Sequence, residues 1–258
     1  MPRPSSSIVM GSVLLLVSAG PAVADGIPVS ALRDWQDFND YGWIALGKND
    51  YNKAEKRFRD AISVVRPYEA KDPRPMARSY GDLARTLYHQ KRYAEAAPLA
   101  RWSLEVRESN PKTTPEALVQ SLYVLAINER AQRHYDAAEP LLKKAMILQE
   151  KTLAPGSPDR AVILDELAIV AWGQSRNVDA NRFFTLALKI REAALPAEHP
   201  DILESLEHYA AFLRQTDRVA DAESYEARAK AIRDSMAEQA IELKAMELES
   251  RRQSARSR

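Results

Sequence analysis

A sequence repeat of constant length is the feature that most constrains how this chain can fold. Small residues recur at one fixed spacing, as Ala54, Ala96, Ala138, Ala180 and Ala222. Seven positions after each of them stands a second small residue: Ala61, Ser103, Ala145, Ala187 and Ala229. Thirteen positions before each stands a large apolar residue followed by a small one: Tyr41-Gly42, Leu83-Ala84, Leu125-Ala126, Leu167-Ala168 and Tyr209-Ala210. A fixed spacing kept five times predicts one structural unit used five times.

Each unit is predicted to be a pair of amphipathic helices. Apolar residues stand three positions before each of the large-small pairs, and a spacing of three places side chains on one helical face. Short polar segments such as "GKND" (47–50) and "QKR" (90–92) separate the two helices of a unit. The small residues predict close helix crossings, because a larger side chain would push the backbones apart. One pair cannot bury its apolar face alone, so the units are expected to stack.

This pattern resembles the tetratricopeptide repeat. The 42-residue period, with "YDAAEPLLKKAMILQEKTLAPGSPD" and "ALKIREAALPAEHPD", is similar to the kinesin light chain type, and the likeness runs from near Ser30 to near Met236. It implies an all-α fold, a right-handed α-solenoid of about five helix pairs with a C-terminal capping helix. Repeat five departs from the pattern, because Glu226 stands where the other repeats have Phe58, Ala100, Leu142 and Phe184. The paired asparagines of kinesin light chains are also missing, so no kinesin binding is inferred.

The tripeptide His199-Pro200-Asp201 could be read as the signature of a J-domain. Its equivalent one repeat earlier is Ser157-Pro158-Asp159, and a further proline stands at Pro115. Proline fits the first position of a helix, and an acidic residue beside it suits the positive helix N-terminus. We therefore expect the tripeptide to begin the first helix of a repeat.

The two termini are expected to lie outside the solenoid. The N-terminus has the pattern of a signal peptide cleaved after Ala24. It contains Arg3, then an apolar run over residues 8–20, then the small residues Ala22 and Ala24. An uncleaved anchor is the alternative. The predicted organisation is a signal peptide (1–24), the solenoid (25–236), and a charged C-terminal helix with a disordered basic tail (237–258). A cleaved signal predicts a periplasmic or secreted protein without stable membrane insertion.

Composition and motifs argue against several functions. The chain has 37 Lys and Arg against 36 Asp and Glu, which is no basis for expecting nucleic acid as a partner. With zero Cys it has no disulfide, thiolate metal site or Cys nucleophile. The four histidines show no metal-ligand spacing, and no phosphate-binding or nucleophile motif occurs. We expect no cofactor, no metal and no enzymatic activity, although an unrecognised catalytic site stays an alternative.

The first helices are therefore the candidates for function, because in this family they line a concave groove. By register, an aromatic and arginine patch is expected to bind a protein or peptide; its members are Arg78, Arg85, Tyr88, Tyr123, Arg130 and Trp172. Asp165, Glu204 and Glu207 are expected to form an acidic patch beside it. Trp, Tyr and Arg are enriched at binding hot spots. The alternative is a structural subunit that uses its surfaces for self-association, as a homodimer, or for assembly of an envelope complex.

Overall fold

A computed structural model of the chain describes residues 26–256, with side chains described except at 243 and 248–256. The predicted signal peptide therefore lies outside the described residues. Within them the chain forms ten α-helices, and a short 3-10 turn at Arg66–Tyr68 follows the second. The helices are α1 (Val29–Gly47), α2 (Tyr51–Val65), α3 (Arg74–His89), α4 (Tyr93–Ser109), α5 (Pro115–Ala131), α6 (Tyr135–Thr152), α7 (Pro158–Gly173), α8 (Asn177–Ala194), α9 (Pro200–Gln215) and α10 (Val219–Arg256).

The helices form five consecutive pairs, as the sequence repeat predicted. Each helix packs against its partner in the pair and against the next helix of the chain. The odd-numbered first helices also contact one another, α1 with α3, α3 with α5 and α5 with α7, so they share one face of the stack. This face is called the groove below, and the even-numbered second helices cover the opposite side.

The repeated small residues lie where the paired helices cross. Ala54, Ala96, Ala138, Ala180 and Ala222 are all 0% exposed, which confirms their predicted burial. At Gly42 the crossing is closer still, since a Cβ there would lie 2.6 Å from the ring of Phe58 on α2. Side-chain volume at these positions therefore sets the distance between helices.

The turn within each repeat has the same backbone conformation. Five non-glycine residues at equivalent positions of the repeats have φ between 57° and 64°: Asn49, Lys91, Arg133, Ser175 and Asp217. In the third turn, the N–H of His134 donates to the carbonyl of Glu129 at 2.9 Å, and that of Arg133 to Arg130 at 2.8 Å. This pair of bonds is the Schellman motif, which ends a helix through one left-handed residue.

The proline-containing joints begin the first helices of repeats three to five. Pro115, Pro158 and Pro200 are the first residues of α5, α7 and α9. His199 is the N-cap of α9, and its Nδ1 accepts a hydrogen bond from the backbone N–H of Asp201 at 3.1 Å. The predicted role of the His-Pro-Asp tripeptide as a helix start is confirmed.

The C-terminal end differs from the sequence prediction. Helix α10 runs without a break from Val219 to Arg256, so no boundary falls at 236, and helix replaces the predicted disordered tail up to Arg256. Residues 219–258 contain no Gly or Pro and are rich in Ala, Glu and Arg, which all favour helix. Glu226, the departure in repeat five, is exposed and forms an ion pair with Arg214 at 2.6 Å.

Candidate binding groove

At the N-terminal end of the groove, α1 and α3 are joined by polar side chains. The indole N–H of Trp35 donates to Ser79 Oγ at 2.9 Å, and Ser79 Oγ donates to Asn39 Oδ1 at 3.0 Å. The indole N–H of Trp43 donates to Asp82 Oδ2 at 3.1 Å. These side chains fix the first helices of repeats one and two against each other.

Two of the predicted groove arginines stack on these indoles. The guanidinium of Arg78 lies 5.4 Å from the ring centre of Trp35, and that of Arg85 lies 5.1 Å from the ring centre of Trp43. Both are cation–π distances. Arg78 is half-buried and reaches the groove surface.

Arg85 is buried, which corrects its predicted place on an exposed patch. It is only 4% exposed, and burial lowers the pKa of its guanidinium although Asp82 and Tyr123 oppose the shift. Its Nε and Nη2 have no hydrogen-bond partner within the described residues. A charged residue in a repeat register is expected at the surface, and here the flat face of Trp43 covers it instead.

Tyr88 and Arg130 lie in contact with each other, and with Glu166 they connect three repeats. Arg130 Nη2 donates to the hydroxyl of Tyr88 at 2.8 Å, and its Nε lies 2.5 Å from Glu166 Oε2. Both charged side chains are mostly buried, with 18% of Arg130 and 12% of Glu166 exposed. The three residues belong to α3, α5 and α7, so the chain of contacts runs along the groove.

The other predicted residues divide between two regions. Tyr123 lies on α5, the first helix that also carries Arg130. Burial raises the pKa of its hydroxyl well above the ordinary value, and the charge of Glu166 adds to this shift. Trp172 is half-buried and meets Phe212 edge-to-face at 5.9 Å in the core of repeats four and five. Glu207 is exposed and pairs with Arg233. The predicted residues thus do not form a single continuous patch.

Next to Tyr123 the groove opens into a recess that the sequence had not indicated. It is lined by Tyr123, Val162, Asp165, Glu166, Arg191, Glu204 and His208. Arg191 comes from the second helix α8 and donates to both Asp165 Oδ2 and Ser205 Oγ, while Ser205 Oγ donates to Asp165 Oδ2 at 3.0 Å. One signal could have found it: Arg107, Gln149 and Arg191 place a long polar side chain at the same position of successive second helices.

The recess shifts the pKa values of its titratable groups. Burial raises the pKa of Glu204 to about 7; Arg191 opposes this, and the neighbouring charges of Asp165 and Glu166 add to it. Burial also raises the pKa of the Asp165 carboxyl despite its contact with Arg191. Burial lowers the pKa of His208, so the imidazole is neutral at pH 7.

Two further kinds of feature are missing from the described part of the chain. Residues 26–256 hold no group of three or more His, Cys, Asp or Glu placed to share a metal ion. Over the same residues, no helix combines the length and apolar character that a bilayer crossing requires.

Sequence comparison identifies the repeat. A family model described as tetratricopeptide repeat matches residues 39–109 and 118–193, which is more than half of the chain. The chain belongs to the tetratricopeptide repeat family. Comparison with curated proteins finds no match.

Solved structures of the same architecture agree with this assignment. BtubC (BKLC) from P. vanneervenii is 19% identical with a TM-score of 0.63, over 81% of this chain and 90% of its own. A putative kinesin light chain from Podosopora anserina is 19% identical with a TM-score of 0.61, over 81% and 97%. A Rap protein in complex with competence and sporulation factor is 15% identical with a TM-score of 0.64, over 81% of this chain and 57% of its own. At these identities the likeness concerns the fold alone.

Proposed function

We propose that this protein is an exported tetratricopeptide repeat scaffold that binds a protein or peptide through its groove. The observation that carries the proposal is the unused hydrogen-bonding capacity of the first helices. Buried polar atoms without a partner among the described residues occur there on Arg85, Asn128, Asp165, Asp201 and His208. Such atoms cost stability in the free protein, and a ligand with complementary groups would satisfy them.

The family and its neighbours support the same class of function. Tetratricopeptide repeats are generally non-catalytic scaffolds, and we assign this chain no catalysis. The Rap protein of similar fold was solved with a bound factor, which makes binding of a protein or peptide a reasonable use of the architecture here. The identity of the ligand must still come from the site itself.

The groove can be tested by recovering partners from envelope extract with three single variants. Arg78→Ala and Tyr123→Ala alter the groove, and Lys144→Ala is the control on α6, exposed and paired with Glu108 at 2.5 Å. Loss of a binding hot spot typically costs about 2 kcal/mol or more, roughly a 30-fold weaker affinity. We expect both groove variants to lose the partner and the control to retain it, with thermal melts confirming that all three are folded. Retention of every partner by folded groove variants would remove the proposal.

Export rests on the N-terminal sequence. We propose cleavage after Ala24 and a periplasmic or secreted location, since the apolar run has the length of a signal peptide and small residues precede the cut. N-terminal sequencing of the protein from the envelope fraction should begin at Asp25. A chain that still begins at Met1 would show an uncleaved anchor instead.

One observation favours self-association as the second candidate. On α10, past the contact of Gln239 with Glu198, Ile241 is 70% exposed and Met246 is 60% exposed. Apolar side chains on one exposed helix can form a homodimer interface. Size-exclusion chromatography with light scattering tests this candidate, because self-association gives twice the monomer mass.

A further inference from the structure

We propose that the recess bordered by Tyr123, Asp165, Glu204 and His208 binds one primary ammonium group, from a lysine side chain or from the N-terminus of a peptide. The inference rests on the proposed groove function and names the chemistry that one part of the groove recognises. Three properties of the recess carry it: the pairing of its charges, its free acceptor atoms and its size.

The charges of the recess leave one carboxylate without a counter-ion. Arg191 is bonded to Asp165, and Arg130 lies 2.5 Å from Glu166. Glu204, on α9, has no hydrogen bond or ion pair to any described residue. A single bound cation would therefore neutralise the unpaired charge of Glu204.

Two residues that line the same recess carry acceptor atoms without a partner. Asp165 is 5% exposed, and its Oδ1 has no hydrogen-bond partner in the described part of the chain. The same holds for the buried Nδ1 of His208. A neutral imidazole with its proton on Nε2 accepts at Nδ1. Together with Glu204, these atoms supply three acceptors for a group that carries three N–H donors, and the ring of Tyr123 borders the same space.

The size of the recess selects among cations. It has room for about one water-sized group. An ammonium is a compact point charge of that size, whereas a guanidinium is a wide planar group. A lysine or an amino terminus therefore fits where an arginine does not.

Binding of a cation should be linked to release of a proton. The charged groups facing Glu204 are Arg191 on α8, Asp165 and Glu166 on α7, and Asp201 on its own helix. Because three of these four are acidic, Glu204 is partly protonated near pH 7, and an ammonium group would favour its ionised form. For the lysine ammonium, which stays charged over this range, apparent affinity should thus be about tenfold higher at pH 8 than at pH 6.

Four short peptides test the proposal by NMR titration of the 15N-labelled protein. Ac-Ala-Lys-Ala-NH2 carries the ammonium on a side chain, and H-Ala-Ala-Ala-NH2 carries it at the N-terminus. Ac-Ala-Ala-Ala-NH2 is the neutral control, and Ac-Ala-Arg-Ala-NH2 is the guanidinium control. We expect at least one ammonium peptide to bind tenfold or more tightly than both controls, with shifts at the amides of Tyr123, Glu166 and His208. The peptide that binds identifies the source of the ammonium, and equal affinities for all four would overturn the proposal.

Variants on one helix test the assignment to Glu204. Glu204→Gln should weaken binding of the ammonium peptide at least tenfold and, for the lysine peptide, abolish its dependence on pH. Glu207→Gln is the matched control, because Glu207 lies on the same helix but is exposed and pairs with Arg233. Equal affinities of the two variants would assign the binding elsewhere and overturn the site.

The outcome is separable from that of the groove function. Partner recovery that depends on Arg78 and Tyr123, combined with no ammonium binding, keeps the groove and rejects the recess. Ammonium binding that depends on Glu204, without any recovered partner, keeps the recess as a small-cation site and rejects the scaffold function.

Discussion

Five residues of this protein hold a backbone conformation that glycine adopts more readily. The left-handed region costs a residue with a Cβ about 1 kcal/mol. None of Asn49, Lys91, Arg133, Ser175 and Asp217 is glycine, so polar turns were predictable from the sequence but their conformation was not. The turns persist because each also holds two backbone hydrogen bonds that end the first helix.

Replacing one of these residues by glycine should therefore stabilise the fold. For Arg133→Gly, which is exposed and has φ 64°, we expect the free energy of unfolding to rise by about 0.5–1 kcal/mol. The change is measured from the urea midpoints of the two proteins, provided that the dependence of the unfolding free energy on urea is the same for both. The control is Lys48→Gly. Lys48 directly precedes Asn49 and has φ −96°, so glycine there should lower the urea midpoint. A loss of stability in Arg133→Gly would show that its side chain contributes more than its backbone costs.

Glu204 should make stability depend on pH in a defined direction. Its carboxyl keeps its proton to about pH 7 in the folded protein, against an ordinary pKa of 4.5. Between these values the folded state binds more protons than the unfolded chain, so stability falls as pH rises. Glu204→Gln removes this loss, and its stabilising effect should be about 2 kcal/mol larger at pH 8 than at pH 5. Urea unfolding at both pH values measures it, with Glu207→Gln as control; an equal effect at both pH values would contradict the raised pKa.

At the scale of the helix pair, the small residue at the crossing controls the packing. Ala138, on α6, is fully buried against the neighbouring helices, whereas Ala137 is exposed on another face of α6. Ala138→Leu should lower the free energy of unfolding by about 1–3 kcal/mol, because three added carbons must push the helices apart. Ala137→Leu should be nearly neutral. The comparison is made by urea midpoints, and equal values would remove the proposed register.

The repeat made the helix pairs predictable and the recess unpredictable. Spacing alone identified Ala138 and its four equivalents as buried, because every repeat must pack in the same way. The recess depends instead on side chains that differ between repeats. It collects Tyr123 from α5, Asp165 from α7, Arg191 from α8 and Glu204 from α9, which belong to three different repeats. A register analysis restricted to first helices could not place Arg191 beside them.

Across the whole molecule, the groove is the place where stability and binding oppose each other. Removing the charge of Glu204 is expected to stabilise the fold and to weaken ammonium binding at the same time. Buried charges without partners destabilise a free protein, so a side chain of this kind is consistent with a role that requires the charge. The ion pairs between neighbouring second helices differ, since those of Lys144 with Glu108 and of Arg228 with Glu192 are exposed to solvent.

The long helix α10 is expected to work as a cap only over its first half. Ala222, Ala229 and Ile232 are buried against the last repeat, and Gln239 still donates to Glu198 at 2.8 Å. The side chains described beyond it, at residues 240–242 and 244–247, are exposed. A chain ending at Glu242 should therefore keep its melting temperature within about 2 °C, since the side chains described in the deleted segment, at residues 244–247, are exposed.

A chain ending at Arg218 is the matched comparison. It loses the whole of α10 and uncovers Tyr209 of α9, which is 4% exposed in the complete chain and whose ring packs on Tyr225 of α10 at 4.8 Å. A repeat array without its terminal cap loses stability and solubility, so this chain should unfold at clearly lower urea concentration or aggregate. If the chain ending at Glu242 also melts earlier, and the difference grows with protein concentration, then the extension joins two copies of the protein. Light scattering on the same samples would then show the mass of a dimer for the full chain and of a monomer for the shortened one.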